Sequence, residues 1–215
     1  RFAHRGGRAH APENTIEAFV GALALGADGL ESDVWLTADG IPVLDHDGVV
    51  GGAPIGAVRR ADLPPHVPSL ADLYDACGTD FELSLDLKEP ESIGPLVAAV
   101  VAAADVAGAR HRLWLCHHRW RLLAHERVVA PGVRLVDSTY VGYMQGGPAE
   151  RARRIAAGGI DAVNLHHSEW TEELIEVFRA EGLGVLARPC PVCRLSCLSR
   201  LARVAWCAIS YPLKR

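Results

Sequence analysis

The sequence has no apolar run long enough to cross a membrane, no excess of basic residues and no interdomain linker. A membrane-spanning helix needs about 20 consecutive apolar residues, and no run approaches that length. The formal net charge of −4 gives no basic surface of the kind that binds nucleic acid. Internal repeats and low-complexity tracts are also lacking. The 215 residues, 49% hydrophobic and 22% charged, therefore predict one soluble globular domain over residues 1–215.

A secretory leader is not visible at the start of the chain, so we expect a cytoplasmic location and no transmembrane segment. The first residue is Arg1 rather than Met, and this expectation rests on the printed residues alone. The even number of cysteines, six, does not change it. Disulfide frameworks are typical of short secreted chains, and this chain is longer than those.

Short apolar runs alternate with longer segments of helical periodicity, which is typical of an α/β protein. A (β/α)8 TIM barrel accounts best for roughly eight predicted strands, with a hairpin in place of one helix. A doubly wound sheet is the alternative, but no glycine-rich phosphate fingerprint follows the first strand. The predicted strands and hairpin cover residues 1–4, 29–47, 81–88, 111–117, 134–138, 162–166, 183–187 and 208–212. Two predicted helices follow caps, one at Thr15 or Asn14 and the other at Ser69, and the second runs to about Cys77. The other predicted helices cover residues 91–106, 120–128, 150–157 and 171–181.

The stretch at residues 28–47 carries the clearest chemical signal. Glu31 and Asp33 lie one residue apart in an apolar run, and in a strand residues i and i+2 point to the same face. A tight turn at 38–40 returns the chain and brings His46 back toward the two carboxylates. Adjacent like charges are costly unless a cation lies between them, and a divalent cation bound by oxygens meets that need. A solvated strand face closed by an ordinary hairpin is the alternative.

Other polar side chains also stand at or near predicted strand ends. In a TIM barrel the carboxyl ends of all strands open on one face, where active sites lie. We therefore expect these side chains to converge. They are His4, Arg5, Glu31, Asp33, His46, Asp86, Lys88, His166 and His167.

These residue types together suit the cleavage of a phosphodiester. Three carboxylates, on Glu31, Asp33 and Asp86, can hold one Mg²⁺ or Ca²⁺. An arginine and a lysine suit a phosphate, the first as a bidentate fork and the second as a point charge. Two imidazoles can share acid and base roles near neutral pH. Metal and cations would stabilise charge that develops in the transition state, while the histidines move protons.

The same residues stand in motifs that resemble those of glycerophosphodiester phosphodiesterases. Order and spacing agree through residue 88 and more loosely to about residue 187. The joint pattern is highly specific, although each motif alone is weak. The matching motifs are His4-Arg5-Gly6, Pro12-Glu13-Asn14-Thr15, Glu31-x-Asp33, Thr37-x-Asp39-Gly40, Val43-x-x-His46-Asp47 and Leu85-Asp86-Leu87-Lys88.

The resemblance implies a barrel of the phospholipase-C-like phosphodiesterase kind, which hydrolyses glycerophosphodiesters to sn-glycerol 3-phosphate and an alcohol. It implies one divalent metal ion, Mg²⁺ or Ca²⁺, as the cofactor and a small molecule as the partner. We also expect one later histidine, His166, to contact the substrate. Carried over to this chain, the roles are acid and base for His4 and His46, metal ligation for Glu31, Asp33 and Asp86, and phosphate binding for Arg5 and Lys88.

One departure from the family lies in the core motif. Most members have Glu where this chain has Asp86, and the shorter side chain would draw the metal closer to that strand. Related spider-toxin phospholipases D also have Asp there and cleave lipid head groups by intramolecular attack, so that chemistry is one alternative. A catalytically inactive barrel that serves as a binding module is another. Attack by a substrate hydroxyl, giving a cyclic phosphate, and direct attack by water both stay open.

The C-terminal segment differs in composition from the rest of the chain. All 26 acidic residues lie within residues 1–181, whereas the tail carries six of the 22 Lys and Arg residues. Residues 188–207 depart from the family pattern. One explanation, which we favour, is a stretch read out of frame and then restored. The others are a thiolate metal site and a basic surface for an anionic partner or membrane. The thiolates would come from Cys190, Cys193, Cys197 and Cys207.

Overall fold

The computed structural model describes residues 1–7, 11–88 and 92–188, together with the backbone at 205 and 206. Its helices are α1 (Ile16–Ala24), α2 (Leu70–Cys77), α3 (Gly94–Val106), α4 (Trp120–His125), α5 (Gly147–Ala157) and α6 (Glu172–Ala180). Its strands are β1 (Phe2–His4), β2 (Gly29–Leu36), β3 (Pro42–Leu44), β4 (Val49–Val50), β5 (Ala53–Pro54), β6 (Glu82–Leu87), β7 (Leu113–His117), β8 (Arg134–Ser138), β9 (Ala162–His166), β10 (Gly184–Arg188) and β11 (Ala205–Trp206).

Eight parallel strands form one curved sheet in the order β1-β2-β6-β7-β8-β9-β10-β11. Helix α1 links β1 to β2, and α3 to α6 link the successive strands from β6 to β10. Between β2 and β6 the chain makes an antiparallel hairpin with β3 and then forms α2. This is the strand order of a (β/α)8 TIM barrel, and it confirms the predicted fold and the place of the hairpin.

The alternation along β6 shows how the sheet is covered on both faces. Leu83, Leu85 and Leu87 belong to the large apolar cluster that the sheet shares with the helices. Ser84 is buried on the other face, with its Oγ 3.4 Å from Cys116 Sγ. Asp86, two residues beyond Ser84, therefore lies on the barrel's inner side. That side also holds an apolar cluster with one residue from each of five strands: Phe2, Cys116, Val136, Ala162 and Leu186.

Side-chain caps define the starts of three helices. Thr15 accepts a hydrogen bond from the backbone N–H of Ala18, and Thr171 does the same for Leu174. Ser69 and Asp72 form a capping box at the start of α2. Such caps satisfy backbone donors that the first helical turn leaves unpaired, so these helices begin where the sequence predicts.

Some predicted bounds differ from the structure. The segment 48–68, for which no strand or helix was predicted, contains the two-stranded ladder of β4 and β5. Strand β7 begins at Leu113 because a 3₁₀ turn occupies 110–112. Helix α5 begins three residues early, with Pro148 in its first turn, where proline's missing N–H costs nothing. The predicted helix start at 91 and closing strand at 208–212 lie outside the described residues.

The explanations offered for residues 188–207 also fall almost wholly outside the described residues. Arg188 ends β10, and the backbone at 205 and 206 pairs in parallel with Leu186 and Ala187. None of the described helices combines the length and the apolar character that crossing a bilayer requires.

Candidate active site

Three carboxylates from two neighbouring strands meet toward the carboxyl ends of β2 and β6. The parallel register pairs Asp33 directly with Asp86, and Glu31 precedes Asp33 on the same face of β2. One oxygen from each of the three side chains lies within 4.8 Å of the others. Glu31 and Asp33 are almost completely buried, with 6% and 2% of their surface exposed. The structure therefore brings together the three residues that were expected to converge.

The electrostatics of this carboxylate cluster fit a hard divalent cation. Burial, followed by repulsion from Asp86 and Asp33, raises the pKa of Glu31 well above its ordinary value. Burial and the Asp33 carboxylate likewise raise the pKa of Asp86, although Lys88 and Arg188 oppose the rise. Asp33 Oδ2 is buried and accepts no hydrogen bond from any described residue. A cation among these oxygens would relieve the repulsion and coordinate Asp33 Oδ2, so the donor set suits Mg²⁺ or Ca²⁺.

Two cations lie on opposite oxygens of Asp33. Lys88 Nζ is 2.7 Å from Asp33 Oδ1, and Arg5 Nε is 3.3 Å from Asp33 Oδ2. Arg5 is further held by Glu13, whose Oε1 accepts a hydrogen bond of 2.8 Å from Nη1. Burial alone would lower the pKa of Lys88, but the nearby carboxylates raise it, so this side chain stays charged at neutral pH. A phosphate beside Asp33 would meet both cations.

The loop that carries Arg5 is held in a conformation that few residues adopt. Arg5 has φ +52°, and Asn14, which follows in the same connection, has φ +57°. The left-handed region costs an L-residue about 1–2 kcal/mol, less for Asn. Hydrogen bonds hold the conformation: Arg5 N–H donates to Glu31 O at 2.8 Å, and Asn14 N–H donates to Arg5 O at 3.0 Å. These hydrogen bonds therefore hold Arg5 in its strained conformation against β2, at the edge of the carboxylate cluster.

His4 lies beside the carboxylate cluster at the end of β1. The parallel register pairs it with Glu31, and its Nε2 is 3.8 Å from Glu31 Oε2. The side chain is 22% exposed, so one part faces the cluster and another part faces solvent. This position is suitable for a residue that exchanges a proton with a substrate.

His46 follows the hairpin strand β3, and backbone contacts bring it near the end of β2. Its neighbour Asp45 donates its N–H to Asp33 O at 3.1 Å. His46 itself is 41% exposed, and its Nδ1 lies 2.7 Å from Asp47 Oδ1. A carboxylate on Nδ1 fixes the orientation of the imidazole ring and leaves Nε2 for a substrate. Asp47, the last residue of the motif that contains His46, thus contacts the ring.

A cavity of about 430 Å³ opens on the other side of Asp86 and Lys88. His166, for which a substrate contact was expected, is not among the described residues that line it. Its Nδ1 instead lies 2.7 Å from Ser168 Oγ, and its ring packs against His167. Besides Asp86 and Lys88, the lining residues that matter chemically are His117, His118, Arg119, Ser138 and Arg188.

These cavity-lining residues were not predicted from the sequence, although two of them stand at strand ends. His117 ends β7 and Arg188 ends β10, just as His4 ends β1. The reasoning that predicted a role in the site for His4 and Arg5 applies equally to His117 and Arg188. The cavity depends, however, on which strand ends the curvature of the sheet brings around one space, and local patterns do not determine this.

His117 is a buried histidine with a defined hydrogen-bond partner. Only 4% of its surface is exposed, and its Nδ1 accepts a hydrogen bond of 3.2 Å from the Arg119 N–H. Burial, helped by the nearby His118, lowers the pKa of His117 to about 4. The ring is therefore neutral at pH 7, and because Nδ1 accepts, the proton resides on Nε2.

Fold and geometry together define a class of protein: a TIM barrel whose strand ends can hold a divalent cation and a phosphate group side by side. The sequence model of the glycerophosphoryl diester phosphodiesterase family matches residues 4–187. The chain belongs to this family, as its motifs suggested.

Individual relatives agree with this assignment. Glycerophosphodiester phosphodiesterase 1 of Bos taurus is 52% identical over 62 residues, which make up 29% of this chain and 19% of that protein. A glycerophosphodiester phosphodiesterase of Caldanaerobacter subterraneus subsp. tengcongensis is 34% identical over 107 residues, with 40% of this chain and 44% of that protein covered. The chain thus spans about a fifth of the first relative's length and less than half of the second's.

A solved structure supports the fold over nearly the whole chain. An Oleispira antarctica phosphodiesterase in complex with the product sn-glycerol-3-phosphate has a TM-score of 0.82 to this chain at 21% identity. The match covers 98% of this chain and 92% of that one. At this identity the likeness establishes the TIM-barrel fold.

Proposed function

We propose that this chain is a metal-dependent phosphodiesterase that hydrolyses glycerophosphodiesters to sn-glycerol 3-phosphate and an alcohol. The observation that carries the proposal is the buried carboxylate cluster of Glu31, Asp33 and Asp86, with Arg5 and Lys88 on the two oxygens of Asp33. Membership in the family and the product bound to the Oleispira antarctica protein support the choice of substrate.

Each cation has a defined part in binding the phosphate. Arg5 and Lys88 would contact its non-bridging oxygens and hold the phosphorus in position for attack. Both side chains are fixed before substrate arrives, Arg5 by Glu13 and Asp33 and Lys88 by Asp33. Preorganised charges stabilise a transition state without the cost of moving them during the reaction. A divalent cation held by Glu31, Asp33 and Asp86, Mg²⁺ or Ca²⁺, would add further neutralisation of the phosphate oxygens.

His4 and His46 would share the proton transfers. One removes the proton from the attacking oxygen, and the other gives a proton to the oxygen of the leaving alcohol. The structure gives them different surroundings, since His4 lies 3.8 Å from Glu31 and His46 contacts Asp47 at 2.7 Å. Asp47 would hold the His46 ring with Nε2 toward the substrate.

The test is the release of glycerol 3-phosphate from glycerophosphocholine and from glycerophosphoinositol, with Mg²⁺ or Ca²⁺ and then with EDTA. We expect equal amounts of glycerol 3-phosphate and free alcohol from at least one of these substrates. EDTA should remove the activity, and the metal should restore it. Absence of product with every head group and metal would support an inactive barrel, and turnover that survives EDTA would contradict the metal's role.

A variant at His46 tests the acid and base assignment. His46→Ala should lower kcat by about 10²–10⁴-fold, which is the usual contribution of a general acid or base. The side chain is 41% exposed and lies outside the apolar core, so the thermal midpoint should change little. His66→Ala, also at an exposed histidine, is the matched control and should keep wild-type turnover. Near-normal kcat in His46→Ala would show that another group moves the proton.

A further inference from the structure

We propose that the cavity lined by His117, Arg119 and Arg188 binds an anionic group on the leaving alcohol, so that the enzyme prefers glycerophosphodiesters whose alcohol carries a second negative charge, such as a phosphate monoester. This inference rests on the proposed function, because it concerns the alcohol side of the same substrate. The name head-group cavity is used below for this space of about 430 Å³.

The charges around the head-group cavity are unbalanced in favour of an anion. Among the described residues, its lining contains three cations, Lys88, Arg119 and Arg188, and one carboxylate, Asp86. Asp86 belongs to the carboxylate cluster and Lys88 lies against Asp33, so both are committed to the phosphate side of the site. Arg188, at the end of β10, adds positive charge to the cavity beyond what the scissile phosphate would meet.

A second acidic residue near this wall is already neutralised. Asp137 is completely buried, and Arg151 binds both of its carboxylate oxygens, at 2.7 and 2.8 Å. Arg188 is close enough to lower the pKa of Asp137, but the bidentate pair with Arg151 satisfies that carboxylate. Arg188 is thus not required as the partner of Asp137.

Arg188 is held in place by two contacts with described residues. Its Nη2 donates to the Thr139 carbonyl oxygen, and its guanidinium carbon lies 4.5 Å above the centre of the Tyr140 ring. A guanidinium has five N–H groups, and the described residues account for one of them. A stacked and anchored arginine is well suited to bind a phosphate or carboxylate, because its planar fork is already oriented.

His117 adds a neutral donor to the same wall. Its Nδ1 is occupied by the Arg119 N–H, so the N–H at Nε2 remains for a ligand oxygen. That hydrogen bond also holds the His117 ring in place, so its neutral donor and the charged guanidinium of Arg188 line the same cavity. A quaternary ammonium head group, in contrast, would find cations and N–H donors in this cavity.

The alcohol is the part of the substrate that can carry this anion. Glycerol is uncharged, and the scissile phosphate already has Arg5 and Lys88 beside the carboxylate cluster. A second anion must therefore be a substituent of the leaving alcohol.

The test compares two substrates that differ by one phosphate: sn-glycero-3-phosphoinositol and sn-glycero-3-phosphoinositol 4-phosphate. The quantity measured is the ratio of their kcat/KM values, from release of glycerol 3-phosphate with saturating Mg²⁺ or Ca²⁺. We expect the phosphorylated substrate to be favoured by about 10- to 100-fold, as charge-assisted hydrogen bonds at a partly enclosed site provide. Glycerophosphocholine should be the poorest of the three substrates.

Variants distinguish this role from binding of the scissile phosphate. Arg188→Gln should reduce the ratio to near unity, whereas Arg153→Gln, at an exposed arginine of α5, should leave it unchanged. His117→Phe should lower the ratio, and His117→Gln, which keeps an N–H near the position of Nε2, should restore part of it. If Arg188→Gln slows both substrates equally, Arg188 binds the scissile phosphate and the inference is wrong.

The outcomes also separate this inference from the proposed function. If all three substrates are hydrolysed but kcat/KM is no higher for the phosphorylated inositol substrate than for the unphosphorylated one, the head-group assignment is wrong. The proposed phosphodiesterase activity would then still stand. Failure to release glycerol 3-phosphate from any of them would contradict the proposed function itself.

Discussion

At the scale of single residues, Arg5 connects the parts of the site. Its backbone N–H binds the Glu31 carbonyl, its Nη1 binds Glu13, and its Nε lies beside Asp33. Lysine could not reproduce this pattern, because it has one nitrogen where arginine has a planar fork. The role of Glu13 follows from the same contacts: it lies at the start of α1 and orients the cation that the phosphate would meet.

His117 predicts a specific dependence of stability on pH. Its pKa is about 4 in the folded state and about 6.5 in the unfolded chain, so between these values the unfolded state binds more protons. The free energy of unfolding should therefore fall as pH drops from 6.5 toward 4, by at most about 1.4 kcal/mol per pH unit from this group. His117→Gln should show a shallower fall in urea unfolding at pH 7, 6 and 5 with EDTA present.

The control for this prediction is His66→Gln, at an exposed histidine, which should retain the wild-type slope. Parallel curves for wild type and His117→Gln would show that His117 is protonated in the folded state at the same pH as in the unfolded chain.

At the scale of elements, the packing of the β1–α1 loop on α1 positions the Arg5 backbone. Gly6 has φ +77°, and a Cβ added there would lie 2.7 Å from the backbone carbon of Ala18 in α1. Any side chain at this position must push the loop away from the helix. The packing of the loop on α1 therefore determines the position of Arg5 relative to β2.

Gly6→Ala should therefore lower both stability and activity. The left-handed conformation alone costs about 1–2 kcal/mol, and the clash with Ala18 adds to it. Gly26→Ala is the matched control, because Gly26 has φ +86° with open space around it. We expect Gly26→Ala to lose only the conformational part and to keep kcat/KM. Equal losses of stability in the two variants, measured by urea unfolding, would show that the loop moves freely.

The elements also show how far sequence reasoning could reach. The alternation of Leu83, Ser84 and Leu85 defined both faces of β6, and Thr15 and Ser69 marked helix starts correctly. The ladder of β4 and β5 was missed because strands of two residues have no detectable periodicity. The start of α5 was missed because two glycines, at 146 and 147, predict a loop until Pro148 is seen to occupy the first turn.

At the scale of the whole molecule, the barrel brings distant carboxylates together at an electrostatic cost. Strand-end positions predicted that Glu31, Asp33 and Asp86 would converge, because parallel strands of a barrel end on one face. The head-group cavity was not predicted, because it depends on how the curved sheet arranges the ends of β6, β7, β8 and β10 around one space. Local patterns therefore identify the strand ends, whereas curvature of the sheet decides which of them share a space.

Because the carboxylates repel one another, we predict that removing one of them stabilises the metal-free fold and weakens metal binding. The pKa of Glu31 is raised by folding, so its ionised form at pH 7.5 opposes folding in metal-free protein. Glu31→Gln should therefore have a higher thermal midpoint than wild type in EDTA, by roughly 2–4 °C for each kcal/mol relieved. Wild type should gain about 5–10 °C when Ca²⁺ or Mg²⁺ is added at 100 times its Kd.

Glu31→Gln should lose most of that gain, whereas Glu181→Gln, at an exposed position after α6, should behave like wild type in both conditions. A lower midpoint for Glu31→Gln in EDTA would show that Glu31 stabilises the metal-free fold and that the repulsion is relieved in some other way.

The left-handed backbone at Arg5 and Asn14 has a consequence for how this chain would change by mutational drift. Glycine at position 5 would adopt the same φ with less strain, but it would also remove the cation beside the buried Asp33 and the partner of Glu13. Removing one partner of a buried ion pair costs about 3–5 kcal/mol, which exceeds the strain that is relieved. A copy freed from catalysis could therefore accept glycine at position 5 only after its carboxylates had also been replaced, and we expect Arg5→Gly alone to have a lower thermal midpoint than wild type in EDTA.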